Sequence, residues 1–207
     1  LDVALVPGEM ENLKITNAED LARAEMFLSA QRGDIRVGNG FDTHRFESGD
    51  HVTLCGVSIP HDKGLQGHSD ADAALHAVTD ALLSAIGAGD IGLHFPPTDE
   101  RWRDEPSETF VAYAAERLRE MNGIISNIDV TIICESPKIA PHRENMKNRL
   151  AAMTSVDPTR VSVKGTTTER LGFTGRGEGI SALATATIRL PYSHSNLADT
   201  PRGHQLK

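Results

Sequence analysis

The sequence is poor in cysteine and aromatics, and it has no long apolar run and no surplus of positive charge. Two cysteines, Cys55 and Cys134, are too few for a disulfide framework, and a reducing, intracellular compartment is the simple reading. No apolar stretch approaches the ~20 residues a bilayer-spanning helix needs, and no signal peptide is visible. A net charge of −8 argues against a nucleic-acid surface. It also means that an anionic ligand must be held by local devices: metal ions, backbone N–H groups and a few placed cations. An initiating methionine is missing too; Leu1 opens the chain, as expected of a fragment or a processed form. What is present is ordinary for a soluble globular protein, at 39% hydrophobic and 24% charged residues. The length suits one full domain plus a fragment, or two small domains.

Residues 1–33 stand apart. A helix of about three turns is expected after a cap at Thr16 or Asn17, with acids in its first turn and Leu21, Ala24, Phe27 and Leu28 on one side. With no partner elements this segment cannot bury a core, and Gly33 is a plausible boundary. A compact domain is expected over 34–191, followed by a polar tail, 192–207, read as disordered. In the domain, a short strand Arg36–Phe41 runs into a loop carrying Asp42 and His44. A hairpin is signalled around Cys55-Gly56, a helix over 106–122, a buried strand at 128–134, a helix at 141–153, a strand at 161–165 and a strictly alternating strand at 180–190. Strands interleaved with helices imply an α/β or α+β domain, a mixed β-sheet covered by about three helices.

The stretch from His68 to Gly87 (HSDADAALHAVTDALLSAIG) organises the rest. It reads as a helix capped by Ser69 or Asp70 and ended by Gly87, with Leu75, Val78, Leu82 and Ile86 as its apolar face. Asp72, His76 and Asp80 fall four apart and form one ridge about 120° round from those leucines. A solvated face is the bland meaning of such a ridge. Upstream, Asp42-x-His44 adds an O and an N donor. Asp42, His44 and His76 together make a three-ligand set that leaves one tetrahedral position open, the pattern of a catalytic zinc. His94 is read as bland. Thr166-Thr-Thr-Glu169, at the end of a strand, is either a phosphate cradle with a carboxylate for Mg²⁺ or a plain capping box. The glycine loop 172–179 fits no nucleotide-binding pattern; its Arg176 is a phosphate grip or part of a flexible turn.

These motifs carry a resemblance. Gly40-Phe-Asp-x-His44, His68-Ser-Asp-Ala-Asp-x-x-x-His76, Gly89-Asp-Ile-Gly92, Phe95-Pro96, Ser136-Pro-Lys138 and the run Thr166–Gly179 resemble the 2-C-methyl-D-erythritol 2,4-cyclodiphosphate synthase family, in unbroken order over about residues 35–190. Residues 1–33 resemble the C-terminal end of a cytidylyltransferase of the same pathway, which implies a piece of a bifunctional fusion. The resemblance implies a homotrimer with active sites between subunits, and a phosphorus–oxygen lyase. That lyase converts 4-diphosphocytidyl-2-C-methyl-D-erythritol 2-phosphate to the cyclic diphosphate with release of CMP, in the non-mevalonate isoprenoid pathway of a bacterial cytoplasm.

By the same resemblance, zinc falls to Asp42, His44 and His76, of which Asp42 and His44 also face substrate. Mg²⁺ or Mn²⁺ falls to Glu169 through the substrate diphosphate. Diphosphate and erythritol contacts fall on His68, Ser69, Asp90, Ile91 and Gly92, and on the loop Phe95, Pro96, Pro97, Thr98 and Asp99. The cytidine pocket falls on Cys134, Pro137, Lys138, Ile139 and Ala140. His68 and Thr167 match positions of transition-state stabilisation. Thr166, Thr168, Phe173 and Arg176 match further ligand contacts. The residues alone also admit a metal-dependent phosphoesterase acting on a nucleotide-linked substrate, or a non-catalytic metal-holding subunit. Orienting His76 from behind, or structural capping, is open for Asp72 and Asp80. The small residues Ala182, Ala184 and Ala186 are expected near the trimer axis.

Overall fold

The computed structural model describes residues 7, 13–24, 33–67, 69–96, 98–102 and 105–191. The chain divides into two units, residues 35–189 and residues 1–34 with 190–207. In the second of these, residues 18–24 are helical. Asn17 caps them: its Oδ1 accepts the Asp20 N–H at 2.9 Å, and the Asp20 carboxylate accepts the Asn17 N–H in return at 3.3 Å. The expected continuation of that helix through Phe27 and Leu28, and the 192–207 tail, lie outside the described residues.

The unit 35–189 is built on a five-stranded mixed sheet. Its strands are β1 (Asp34–Glu47), β4 (Gly64–Leu65), β5 (Ile124–Ile133), β6 (Val161–Thr166) and β7 (Gly179–Leu190), in the order β4-β1-β7-β5-β6. β2 (His51–Leu54) and β3 (Val57–Pro60) form the expected hairpin, turning through Cys55 and Gly56, both at positive φ. Three long helices cover the sheet: α1 (Ala73–Ala85), α3 (Ser107–Glu120) and α4 (Arg143–Thr154). α2 (Ile91–His94) and α5 (Gly172–Gly175) are single turns. α4 carries the chain from β5 to its parallel neighbour β6, a connection that hairpins cannot make.

β1 is longer than its glycines suggest. It does not stop at Phe41 but continues through Asp42 and His44 to Glu47. Side chains alternate across a strand, so Gly38, Gly40, Asp42 and His44 share the inner face, while Ile35, Val37 and Phe41 share the outer one. The two glycines let α1 lie against the strand. A Cβ on Gly38 would fall 2.0 Å from the Ala81 carbonyl oxygen, and one on Gly40 2.0 Å from that of Ala77. α1 begins later than the sequence pattern suggests. Ala71 sits at φ +52, and Asp72, rather than Ser69 or Asp70, is the cap, its side chain accepting the Leu75 N–H at 3.0 Å. Ten of the thirteen residues of α1 are buried, because β1 and α3 cover it from two sides. Burying Leu75, Leu82 and Leu83 contributes about 1.5–3 kcal/mol each. α3 presents Phe110, Ala114 and Leu118 at helical spacing.

β7 lies inside the sheet, between β1 and β5. Ala182, Ala184 and Ala186 are wholly buried within the chain itself. Leu183, between them, is 43% exposed, and the apolar outer face of β1 is exposed as well. Among the described residues no helix is long and apolar enough to cross a membrane.

Candidate metal centre and ligand clefts

β1 and α1 bring three donor atoms to one point. Asp42 Oδ2 lies 2.9 Å from His44 Nε2 and 2.9 Å from His76 Nδ1, and the two nitrogens are 3.1 Å apart. Asp42 and His44 are two apart on the inner face of β1. His76 descends from the first turn of α1, which the glycines hold against that face. Among the described residues no other trio of His, Cys, Asp or Glu converges this way.

The opposite ring nitrogens have protein partners. His44 Nδ1 lies 2.6 Å from the Gln66 carbonyl oxygen, which can only accept, so this nitrogen carries the proton and Nε2 is left with a lone pair. His76 Nε2 lies 2.9 Å from Ser107 Oγ and 3.2 Å from Ser69 Oγ. With hydrogen on that nitrogen, Nδ1 also offers a lone pair. Two imidazole lone pairs and a carboxylate then face one another without a donor among them. Such a set needs a proton or a cation between its members. Its separations are close to the ~3.3 Å between ligands on a tetrahedral zinc, and N₂O donors with a position to spare suit that ion. Without metal, protons take the cation's place. Burial by itself would raise the Asp42 pKa, but hydrogen bonds and charge from His44 and His76 hold it well below the carboxylate range. Burial would lower that of His44, but the Asp42 hydrogen bond and charge raise it.

Asp72 and Asp80, on the same ridge as His76, serve the backbone. Asp72, fully buried, accepts the N–H groups of Cys55 (3.0 Å), Gly56 (2.7 Å) and Leu75. Burial pushes its pKa up to about 6 against the pull of those donors. Asp80 accepts the Ile91 N–H at 2.7 Å and so anchors α2. His94 is tied to the Ala88 carbonyl and to Tyr113 Oη, in keeping with its bland reading.

The metal centre opens on a cleft of about 690 Å³ lined by His44, Ser69, His76, Ile91, Gly92, Phe95 and Asp99. Asp90 caps α2 at its edge. Trp102 and Phe110, neither of them expected at a ligand site, supply its aromatic wall with Phe95. Pro96 and Thr98 belong to the same loop; His68 and Pro97 lie outside the described residues. A second cavity of about 210 Å³ lies at the carboxyl ends of β5 and β6. Cys134, Pro137, Lys138, Ile139, Ala140, Thr166 and Thr167 line it. Burial pushes the Cys134 thiol up to about 11, which leaves it an inert wall rather than a nucleophile.

Glu169 and Arg170 follow at positive φ, so Thr166–Glu169 starts no helix and forms no capping box. Instead Thr167 Oγ1 donates to Glu169 Oε1 at 2.8 Å, and Thr168 Oγ1 to the Leu171 carbonyl. Residues 172–175 of the glycine loop form the turn of α5, and Arg176 is clamped on Glu178 at 2.7 Å. Phe173 lines a third cavity with Thr43 and Phe46. Within one chain, therefore, the expected ligand residues line separate clefts. Ser107, at the back of His76 and bonded to its Nε2, carries no signal in the sequence. After Pro106 at a helix start it reads as a routine first-turn serine.

Residues 35–189 match the model of the YgbB family, and the chain belongs to that family. It is 57% identical over 191 residues to the bifunctional enzyme IspD/IspF of Ruegeria pomeroyi, covering 92% of this chain and 50% of that protein. The chain thus spans about half the length of the curated relatives it matches. Among solved structures it is similar to the bifunctional IspDF of Campylobacter jejuni, with TM-score 0.73 and 38% identity over 76% of this chain and 43% of that one. It is also similar to a 2C-methyl-D-erythritol-2,4-cyclodiphosphate synthase in a CDP-bound form, with TM-score 0.68 and 38% identity over 74% of this chain and 99% of that one.

Proposed function

We propose that this chain converts 4-diphosphocytidyl-2-C-methyl-D-erythritol 2-phosphate to 2-C-methyl-D-erythritol 2,4-cyclodiphosphate, releasing CMP, in the non-mevalonate isoprenoid pathway of a bacterial cytoplasm. Family membership, the cyclodiphosphate synthase and bifunctional relatives, and the CDP-bound neighbour support the activity and its cytidine-linked substrate. The observation that carries the reading is the convergence of Asp42 Oδ2, His44 Nε2 and His76 Nδ1.

In this reaction an oxygen of the substrate's 2-phosphate attacks the β-phosphorus. The bond from that phosphorus to the bridging oxygen breaks, and CMP leaves with the bridging oxygen. The attacking oxygen is already ionised, so the site needs no general base. Its tasks are to bring two anions together and to stabilise charge as it moves. Zn²⁺ held by Asp42, His44 and His76, and Mg²⁺ or Mn²⁺ held through the diphosphate by Glu169, would neutralise the phosphoryl oxygens when bound. Glu169 suits a hard cation because it is an exposed carboxylate.

His68 and Thr167 donate hydrogen bonds to oxygens on which charge grows, the Thr167 hydroxyl turning from Glu169 to do so. Ser69, the α2 turn and the 95–99 loop hold the diphosphate and the erythritol. The small cavity over Lys138 and Ile139 receives cytidine, with Cys134, Pro137 and Ala140 as its walls. Residues 1–33 are the end of a cytidylyltransferase domain joined to a synthase domain at 34–191. The working unit is a homotrimer with sites between subunits. Two features support this: ligand residues of one chain occupy separate clefts, and the outer sheet face exposes Ile35, Val37, Phe41 and Leu183.

A phosphorus NMR assay with the cytidyl substrate tests the reading. Equal amounts of CMP and cyclic diphosphate, lost on chelation and restored by zinc, are expected. A hydrolysed, uncyclised product would identify a phosphoesterase instead.

A further inference from the structure

His76 has two ring nitrogens, and a metal at the Asp42–His44–His76 point takes only Nδ1. Nε2 points away from that point, into the start of α3, where Ser107 Oγ lies 2.9 Å off. Ser107 is completely buried. The residue before it, Pro106, has no side chain that can cap α3. The first-turn donors find an acceptor elsewhere: Asp70, from the loop before α1, accepts the Ser107 N–H at 3.2 Å and the Ser107 hydroxyl through the same Oδ1.

The hydroxyl has one proton. An ionised carboxylate only accepts, so that proton goes to Asp70. Ser107 Oγ then has only lone pairs to offer His76. The hydrogen of the His76 ring must therefore sit on Nε2, and the lone pair on Nδ1, facing Asp42 and His44. His44 reaches the same state more simply, against the Gln66 carbonyl. His76 stands on a helix whose carbonyls are engaged in the helix itself, so it takes its acceptor from a hydroxyl polarised by a carboxylate. A cap for α3 alone would need only the Ser107 backbone N–H, and any residue type would serve. Ser69 Oγ is the weaker neighbour of Nε2, at 3.2 Å; it accepts the Ala71 N–H, and its own proton goes to Ser107 Oγ, 3.3 Å away.

We infer that Ser107 and Asp70 are positioning residues for the metal: the hydrogen-bond chain from His76 through Ser107 to Asp70 fixes the tautomer and direction of one ligand. The inference rests on reading Asp42, His44 and His76 as a zinc site. It also joins the metal centre to the α1–α3 contact, since Asp70 precedes one helix and caps the other.

Ser107→Ala is the direct test. It keeps the backbone N–H on Asp70, and so keeps the cap, while removing the hydroxyl. Zinc affinity of the purified protein, measured by competition with a chromophoric chelator, should fall about 10- to 100-fold, the usual effect of losing a ligand's outer partner. The melting temperature of the chelator-stripped protein should stay with the parent's. Asp70→Asn retains an acceptor but no charge and should lose less affinity. The double variant should bind no more weakly than Ser107→Ala alone, because both act through one chain. Ser107→Ala binding zinc as tightly as a parent that binds it well would overturn the inference and leave the zinc site standing. Losses that multiply in the double variant would also overturn it. A parent without zinc affinity would overturn the site and this inference together. Independently of any variant, imidazole ¹H–¹⁵N spectra of the zinc-loaded parent should place the His76 hydrogen on Nε2; a hydrogen on Nδ1 would contradict the chain.

Discussion

Gly40 of β1 faces the carbonyl oxygen of Ala77 in α1 so closely that a methyl group on the glycine would lie 2.0 Å from it. His76, the residue before Ala77, meets Asp42, two residues beyond Gly40, at 2.9 Å. The same backbone approach therefore sets both the core packing and the metal centre. Gly40→Ala should displace α1, since the blocking atoms are backbone rather than flexible side chain. Overpacking of this kind costs about 1–3 kcal/mol. Urea unfolding should show that loss, and zinc affinity should fall with it. Parent-like values for both would show that α1 can yield without disturbing the ligands.

His76→Ala removes a donor from the metal set while leaving α1 its helix-favouring alanine. The variant should keep its far-ultraviolet circular dichroism, carry little zinc by elemental analysis and lose most of the cyclising activity. Full activity with the histidine gone would dismiss the ligand assignment.

The pH dependence of the stripped protein follows from the proton that replaces the cation. The His44 pKa is raised in the folded state above its ordinary 6.5 by Asp42, so its contribution is complete below 6.5 and is lost as pH rises through the folded value. Asp42 is lowered from its ordinary 3.8, so its contribution holds above 3.8 and is lost only as pH falls through the lower folded value. Stripped protein should thus lose stability as pH rises above 6.5, and His44→Gln should flatten that slope. Zinc-loaded protein should behave in the opposite sense and weaken on acidification, because protons displace the metal. Denaturant midpoints of both forms across pH check this. A flat stripped-parent profile, or the same slope in His44→Gln, would contradict it.

Asp72 bears on the fold rather than on the metal. Its carboxylate holds the N–H groups of Cys55, Gly56 and Leu75 in a fully buried position. Asp72→Asn replaces one accepting oxygen with a donor that faces an N–H. About 1–3 kcal/mol of stability should be lost, the cost of a buried group left unsatisfied, with zinc affinity little changed. A stability like the parent's would show that the turn at Cys55 holds without it.

The convergence of Asp42, His44 and His76 was legible in the sequence because both local periods are simple. Asp42 and His44 are two apart, which shares a face on any extended backbone. The His76 stretch has a clear 3.6-residue rhythm, and α1, α3 and β7 were legible for the same kind of reason. The extent of β1 was not. Gly38 and Gly40 read as strand breakers by local propensity, whereas tertiary packing needs them as the residues that admit a helix. Nor was the start of α1: Ser69, Asp70 and Asp72 are all good caps in isolation, and only the buried turn at Cys55-Gly56 selects Asp72. The pairing of Ser107 with Asp70 joins residues 37 apart in the chain and leaves no periodic mark.

The exposed outer face of the sheet bears on assembly. Phe41 is 59% exposed there beside Ile35 and Val37. Phe41→Glu should convert a trimer to monomers in sedimentation, with secondary structure kept and cyclising activity lost. A parent that sediments as a monomer, or a trimer unaffected by the charge, would dismiss this face as the interface.

The central claim is that Asp42, His44 and His76 hold one zinc ion. Anomalous diffraction from zinc-replete crystals, recorded on either side of the zinc absorption edge, tests it most directly. One peak per chain within bonding distance of Asp42 Oδ2, His44 Nε2 and His76 Nδ1 is the expected result; no zinc signal at that point would contradict the account.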